Sequence, residues 1–133
     1  MIESMRWFGP SDPVSLVDIR QSGATSVVTA LHEIPVDQPW SDKDVLVRRD
    51  TINVAGLEWD VVESIPVHDS IKRFDADAHY YIDIWLESLR AVAKAGITTV
   101  CYNFMPVIDW TRTDLKFQLP NGGYALRIDQ QKF

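Results

Sequence analysis

The chain has 133 residues, 46% of them hydrophobic and 24% charged, which is typical of one globular domain and argues against a disordered or low-complexity protein. Its net charge of -6 and its scattered Lys and Arg residues argue against a nucleic-acid surface, because phosphate binding needs clustered basic residues. The sequence opens without a basic leader or a long apolar run, and Cys101 is its single cysteine. We therefore expect a cytoplasmic protein with no membrane association and no internal disulfide.

The first predicted strand and helix lie near the amino terminus. Residues 5–8 (MRWF) form the strand candidate. Asp12 directly before Pro13 is typical of a helix N-cap with proline at the first helical position. This pattern predicts a helix over 14–22, which Gly23 ends.

Two further strand and helix pairs follow along the chain. A run rich in β-branched residues over 26–31 predicts the second strand. Ser41 begins a pattern that resembles a capping box, which predicts a helix over about 42–55. Residues 58–62 predict the third strand, and apolar residues at helical spacing over 78–95 predict the next helix.

The carboxyl-terminal part of the sequence changes character after a fourth predicted strand over 98–102. Two alternating runs, 115–119 and 124–129, flank a Pro-Asn-Gly-Gly turn and predict a β-hairpin. No helical period is present over 104–129.

Strands that alternate with helices predict parallel pairing, because such crossovers are right-handed and return the chain in the same direction. We therefore predict an α/β fold in which parallel βα units form the first half of a (β/α)₈ TIM barrel, as one partial domain over 1–133, with a β-hairpin insertion after strand four. A complete barrel takes roughly 250 residues and leaves no free edge, whereas four strands expose two edges. A compact four-stranded α/β sandwich is the competing architecture, although the sequence carries no Gly-rich phosphate loop after strand one.

Polar and aromatic side chains follow the predicted strands at their carboxyl ends. Because those ends meet at one edge of a parallel sheet, we expect a ligand site there. The candidate catalytic residues are His32, Glu63 and His68. The candidate substrate-binding residues are Trp7, Asn103, Asp109, Trp110 and Arg112.

Each catalytic candidate also has a purely structural interpretation. His32 can act as an acid, a base or a metal ligand, or it can cap the strand end. Glu63 needs a partner to offset desolvation, and an ion pair with Arg6 or Arg112 would supply one. His68 can reach into a site, cap a helix or remain solvated.

The substrate-binding candidates have similar alternatives. Asn103 suits a polyhydroxylated substrate or a turn. The segment 109–112 (DWTR) joins an acid, an apolar plate and a guanidinium that can bind a carboxylate, with Trp7 as a second plate or a core residue. Cys101 reads as a buried, small apolar side chain, because no His or second Cys lies at ligand spacing.

Four runs of the sequence carry a more specific signal: RWFGPSDPVSLVDIRQSGAT, VVTALHEIP, AGLEWDVVESIPVHDSIK and GITTVCYNFMPVIDWTRTDL. They resemble the amino-terminal part of the mannonate dehydratase family, over almost the whole chain. The resemblance implies a xylose-isomerase-like barrel and a lyase of glucuronate catabolism that converts D-mannonate to 2-dehydro-3-deoxy-D-gluconate and water. It also implies Mn²⁺ or Fe²⁺, held by a His, Cys, His and Asp set on later strands, so no metal ligand is assigned to this chain.

The resemblance leads us to expect the amino-terminal half of a mannonate dehydratase, inactive by itself, from a homo-oligomer that acts on the small sugar acid D-mannonate. Two alternatives stay open. One is a non-catalytic half-barrel that self-associates or docks on a partner chain through its exposed edges. The other is a metal-dependent sugar isomerase or epimerase of the same barrel group.

Overall fold

The structure is a computed structural model that describes residues 1–105 and 111–132. Strands alternate with helices up to residue 101, with two helices before the fourth strand, and two antiparallel strands follow. In chain order the elements are β1 (Ser4–Arg6), α1 (Leu16–Gln21), β2 (Ser26–Thr29), α2 (Asp42–Val54), β3 (Glu58–Glu63), α3 (Asp69–Arg73), α4 (Ala78–Lys94), β4 (Thr99–Cys101), β5 (Asp114–Gln118), β6 (Tyr124–Arg127) and a 3₁₀ turn (Gln130–Lys132).

Strands β1 to β4 form one parallel sheet in the order β1-β2-β3-β4. This confirms the predicted α/β class and the parallel pairing. Each strand lies beside the strand that follows it in sequence, whereas doubly wound sheets reverse their order at a switch point. The observed order therefore does not match a doubly wound sheet.

The register places alternate residues of each strand on opposite faces of this sheet. One face, here the covered face, carries Val27, Thr29 and Val62, which have no exposed surface. The opposite face, here the open face, carries the buried Ser26 near its amino-terminal end. Its side chains that reach solvent to some degree include Arg6, Val28, Val61, Glu63, Thr99 and Cys101.

The hydrophobic core lies between the covered face and the helices. Val27 and Val62 belong to one buried cluster with Ile19 of α1, Ile52 of α2 and Val92 of α4. The apolar residues of α4 recur at helical spacing, so one side of the helix faces this cluster and the opposite side faces solvent. Within the part of the chain that the structure describes, no helix is both long and apolar enough to cross a membrane.

The first helix begins later than predicted, and Asp12 is not its N-cap. Ser15 is the cap: its Oγ accepts the Asp18 N–H at 3.1 Å, and the Asp18 carboxylate accepts the Ser15 N–H at 2.9 Å. The Asp12 carboxylate instead accepts the N–H groups of Phe8 and Val14, at 2.7 and 2.9 Å. Asp12 therefore stabilises the turn before the helix, a common use of an Asp side chain.

Of two other local predictions, one is confirmed and one is wrong. Ser41 caps α2 as predicted, because its Oγ accepts the Asp44 N–H at 3.1 Å. Cys101 is exposed, so the expectation of a buried cysteine is wrong. The physical reason is that β4 is the last strand of the sheet and its Cys101 side chain lies on the open face.

The antiparallel pair β5 and β6 lies where the sequence predicts a hairpin. Its turn is held by the Asn121 side chain, whose Oδ1 accepts the Gly123 N–H at 3.0 Å. The Leu119 N–H donates to the Gly123 carbonyl at 2.8 Å and closes the loop. Local turn chemistry thus accounts for this hairpin.

Candidate substrate site at the strand ends

An open pocket of about 490 Å³ lies at the carboxyl end of the parallel sheet. Residues that follow β3 and β4, together with the last residue of β1, form most of its wall. The lining residues are Arg6, Val36, Ser64, Pro66, Val67, His68, Asp69, Lys72 and Asn103. Of the candidates from the sequence, His68 and Asn103 line the pocket directly, and Glu63 contacts the lining residue Arg6.

Glu63 and Arg6 form an ion pair on the open face. The Glu63 Oε2 and Arg6 Nη1 atoms are 2.8 Å apart, which joins the ends of β3 and β1 across β2. The Arg6 guanidinium also lies 4.9 Å from the centre of the Phe8 ring, a cation–π distance. The prediction that Glu63 needs a cationic partner is confirmed, and that partner is Arg6. The peptide bond from Glu63 to Ser64 is cis.

His32 lies in the turn after β2, with its ring 5.7 Å from the Phe8 ring. Partial burial lowers the pKa of His32 below its usual value of 6.5, and the positive charges of Arg6 and Arg48 lower it further. The negative charge of Glu33 acts in the opposite direction. The neutral imidazole is therefore favoured near neutral pH, which is the form that accepts a proton.

Arg48 of α2 contacts residues that directly follow β1 and β2. Its buried guanidinium donates to the Ala30 carbonyl at 2.8 Å and pairs with the Glu33 carboxylate. It lies 5.3 Å from the Trp7 ring, which is only 4% exposed. The structure thus places Trp7 in the core, the alternative stated for it above. Gly9 fits here because its φ is +92° and an added Cβ would lie 3.1 Å from Arg48 Nη1.

His68 caps the short helix α3 and contributes to the pocket wall. Its Nδ1 accepts the Ser70 N–H at 3.1 Å, so a neutral ring carries its proton on Nε2. The ring stacks on Tyr81 of α4 with a centroid distance of 3.5 Å and an interplanar angle of 9°. The capping interpretation of His68 is therefore correct, and the same position brings its ring to the pocket.

The β3 and β4 ends are also joined by a side-chain hydrogen bond. The Asn103 amide donates to the Ser64 Oγ at 3.3 Å. Arg112 is not among the described residues that line the pocket. Its guanidinium donates to the Thr111 carbonyl at 2.8 Å. Asp109 and Trp110 lie outside the described residues, so their candidate roles stay predictions.

Sequence reasoning missed Lys72 and Arg48. Lys72 has a side chain that is 6% exposed, with Nζ 3.2 Å from the Asp69 carboxylate. It lies on α3, whose five residues are too few for a hydrophobic period. The only signal in the sequence was the run VHDSIK, which ends at Lys72 and contributes to the family resemblance.

The described residues do not form a metal site. Among residues 1–105 and 111–132, no three His, Cys, Asp or Glu side chains come close enough together to hold a metal ion. The Mn²⁺ or Fe²⁺ that the resemblance implies is therefore not matched by this set of side chains. What the site offers is two cations, amide and hydroxyl donors, a carboxylate and the His68 imidazole. His32 is not among the described residues that line the pocket.

The fold and the pocket define an α/β protein with a parallel sheet and a polar ligand site at its strand ends. The family model of D-mannonate dehydratase (UxuA) matches residues 1–133. The chain belongs to the D-mannonate dehydratase family, and the family resemblance seen in the sequence is confirmed.

Individual relatives agree with this assignment. The chain is 53% identical over 133 residues to the mannonate dehydratase of Chromohalobacter salexigens and 52% identical over 133 residues to mannonate dehydratase 2 of Agrobacterium fabrum. Both matches cover 100% of this chain and 34% of the relative. The crystal structure of mannonate dehydratase from Streptococcus suis serotype 2 matches with a TM-score of 0.87 and 45% identity, over 95% of this chain and 36% of that one. The chain thus spans about a third of the length of these relatives.

Proposed function

We propose that this chain supplies part of a mannonate dehydratase, a hydro-lyase that converts D-mannonate to 2-dehydro-3-deoxy-D-gluconate and water. The observation that carries the proposal is the family match over residues 1–133, with curated relatives of that name 53% and 52% identical. The pocket at the strand ends supports it, because cations together with amide and hydroxyl groups suit a substrate that has one carboxylate and several hydroxyls. The family match favours this function over the metal-dependent isomerase or epimerase alternative.

The proposed architecture is the first half of a xylose-isomerase-like (β/α)₈ barrel, as one partial domain with β5 and β6 as a hairpin insertion. Sequential parallel order and helices packed on one face support it, because consecutive βα units of a barrel have this arrangement. In a closed barrel the open face would line the interior, and the free edges of β1 and β4 would be paired.

The reaction removes the proton next to a carboxylate and expels the neighbouring hydroxyl. In this proposal the chain forms the substrate-side wall of the site. The neutral imidazole of His32 accepts or relays a proton. The ion pair between Arg6 and Glu63 holds its guanidinium and carboxylate groups in place beneath the substrate. No step is assigned to a metal, because the described residues do not form a metal site. The cytoplasmic location, the place in glucuronate catabolism and the homo-oligomer remain predictions.

A chimera tests the proposed function directly. The third of the Chromohalobacter enzyme that this chain matches is replaced by the chain itself, and dehydration of D-mannonate is followed by the appearance of the keto product. We expect activity within about tenfold of the parent, because a wall of the same family preserves the site geometry. A folded chimera without turnover on D-mannonate would contradict the proposal.

The isolated chain is the matched comparison. With added Mn²⁺ we expect no dehydration of D-mannonate, because the described residues do not gather metal ligands. Turnover near that of an intact family member would refute this expectation. Product analysis on D-mannonate and on aldoses, carried out with the chimera, separates a dehydratase from an isomerase or epimerase.

A second function, self-association of the half-barrel, is motivated by the open face and by the free edges of β1 and β4. Unpaired edges favour pairing with another chain. Size-exclusion chromatography with light scattering decides the question. A concentration-dependent dimer supports it, and a monomer at every concentration contradicts it.

A further inference from the structure

Lys72 is the most enclosed cation of the strand-end pocket. Its side chain is 6% exposed, whereas the Asp69 carboxylate that it contacts at 3.2 Å is 66% exposed. Asp69 therefore lies on the solvent side of this ion pair, and Lys72 lies in the wall. Both residues line the pocket.

Burial changes what a lysine can do for a ligand. An ammonium group that is removed from water attracts an anion more strongly than an exposed one, because less solvent screens the interaction. Burial also orders the side chain before the ligand arrives, which reduces the entropy that binding costs. Lys72 has both properties, and it faces a pocket large enough for a small organic molecule.

The other cation of the pocket is also paired, but it is less enclosed: the Arg6 side chain is 33% exposed, against 6% for Lys72. Arg6 forms the 2.8 Å ion pair with Glu63 and lies over the Phe8 ring at 4.9 Å. Its charge is balanced by an acid that is itself 40% exposed. Both cations thus have a carboxylate partner, and burial is what distinguishes them, because solvent screens the charge of Arg6 more than that of Lys72.

The hydrogen-bonding groups of the same wall come from Ser64 and Asn103. The Asn103 amide nitrogen donates to the Ser64 Oγ at 3.3 Å. The Ser64 hydroxyl hydrogen can then donate to a ligand, and the Asn103 amide oxygen can accept from it. A donor and an acceptor side by side suit a hydroxyl group, which can do both. The wall thus combines a site for a charge with a site for an alcohol.

We propose that Lys72 binds the carboxylate of a sugar acid, while Ser64 and Asn103 bind a hydroxyl of the same molecule. The identity of that sugar acid as D-mannonate rests on the proposed function; the carboxylate subsite itself rests on the pocket. Lys72 is then a specificity residue, which distinguishes sugar acids from neutral sugars and alditols.

The test measures binding to the 133-residue chain by ¹H–¹⁵N NMR titration. D-mannonate is compared with D-mannitol, which has no carboxylate, and with D-gluconate, a second sugar acid. In K72M we expect the Kd for D-mannonate to rise about tenfold or more, with the Kd for D-mannitol unchanged. K72R keeps the charge and is expected to stay within about threefold of the parent.

Two further variants make the test independent of folding effects. K43M removes a lysine that is exposed on α2 and does not line the pocket, so its Kd is expected to match the parent. D69N removes the only carboxylate among the lining residues that the structure describes, and is expected to tighten D-mannonate binding several-fold. The amide spectra of all variants report whether the fold is intact.

The outcomes separate the subsite from the proposed function. Equal D-mannonate binding by K72M and the parent, or D69N binding that is unchanged or weaker, overturns the subsite and leaves the chimera test to decide the function. Lys72-dependent binding of D-gluconate but not of D-mannonate upholds the subsite and contradicts the proposed substrate. No binding of either sugar acid by the folded parent chain overturns the subsite.

Discussion

The two faces of the parallel sheet differ sharply, although they belong to the same four strands. The covered face presents Val27 and Val62 to three helices and has no exposed surface at either residue. The open face presents the Arg6–Glu63 ion pair between Val28 and Val61, which are only partly buried. Stability of this chain therefore resides in the covered layer, whereas the polar groups that suit a ligand lie on or beside the open one.

The open face combines apolar and charged residues, and a surface that only faces solvent does not need the apolar ones. Val28 and Val61 are β-branched apolar residues, and a charged pair lies beside them with its side chains 33% and 40% exposed. An apolar surface with a few paired charges is typical of a face that is enclosed in a larger assembly. This supports the proposed barrel interior, and it defines how the comparison can be tested.

The largest expected effect is on the covered face. Val62→Ala removes two buried methyl groups and leaves a cavity, so we expect the free energy of unfolding to fall by about 2–3 kcal/mol. Val61→Ala makes the same chemical change one residue away on the open face, and we expect less than about 1 kcal/mol. Urea denaturation measures both. Equal losses would mean that the two faces are equally buried in solution.

The second test concerns a hydrogen bond inside the covered layer. Ser88 is 2% exposed, and its Oγ accepts the Trp40 N–H at 3.0 Å. Ser88→Ala leaves that buried N–H without this acceptor, and we expect a loss of about 1–2 kcal/mol. The control is Ser22→Ala, because the Ser22 hydroxyl donates to Ile19 at the exposed end of α1. A loss in the control as large as in Ser88→Ala would contradict the assigned role of burial.

The third test concerns the ion pair of the open face. Glu63→Gln removes a partly exposed pair, so we expect a loss below about 1 kcal/mol that shrinks further in high salt. Denaturation is measured at two protein concentrations and two ionic strengths. A loss above about 2 kcal/mol that depends on protein concentration but not on salt would show that the open face is covered by a second copy in solution.

The smallest expected effect is the pKa of His32, measured by NMR titration of the ring protons. We expect a value below the usual 6.5, because partial burial and the charges of Arg6 and Arg48 disfavour the imidazolium. Arg6→Met is expected to raise the pKa of His32, whereas Arg20→Met, which removes an arginine that contacts Ala55, is not. A His32 pKa at or above 6.5 in the parent chain would contradict this electrostatic account.

The same shift predicts a pH dependence of stability. The unfolded chain binds a proton at His32 near pH 6.5, and the folded chain binds it only at lower pH. The unfolded state therefore holds more protons between these two values, and the His32 contribution to stability is lost as pH falls from 6.5 toward the folded pKa. His32→Gln is expected to flatten this part of the profile. An unchanged profile would show that other groups dominate there.

Periodic elements with clear end signals were predictable. Helix α4 extends over 78–94 against a predicted 78–95, since its apolar stripe repeats over several turns and Gly96 follows it. Helix α3 was missed because five residues cannot display a period. Asp12 was misassigned because an aspartate before proline suits both an N-cap and a turn, and the competing cap at Ser15 decides which forms.

The residues of the candidate site likewise differ in whether the sequence predicted them. His68 and Asn103 were found because each follows a strand, and the strand ends of a parallel sheet meet at one edge. Arg48 was not found, since it comes from a helix and reaches the Ala30 carbonyl 18 positions away in sequence. Trp7 followed a strand as well, yet its ring lies in the core.

Local sequence was thus enough to assign the α/β class, the parallel strands and the resemblance to the D-mannonate dehydratase family, because strand and helix periods and family motifs are written in consecutive residues. Long-range packing had to decide that Glu63 pairs with Arg6, that Cys101 is exposed and that Lys72 is enclosed in a pocket wall. These outcomes depend on which face of a strand or helix meets a neighbour, and on how much solvent that neighbour excludes. Neither quantity exists until the strands are side by side.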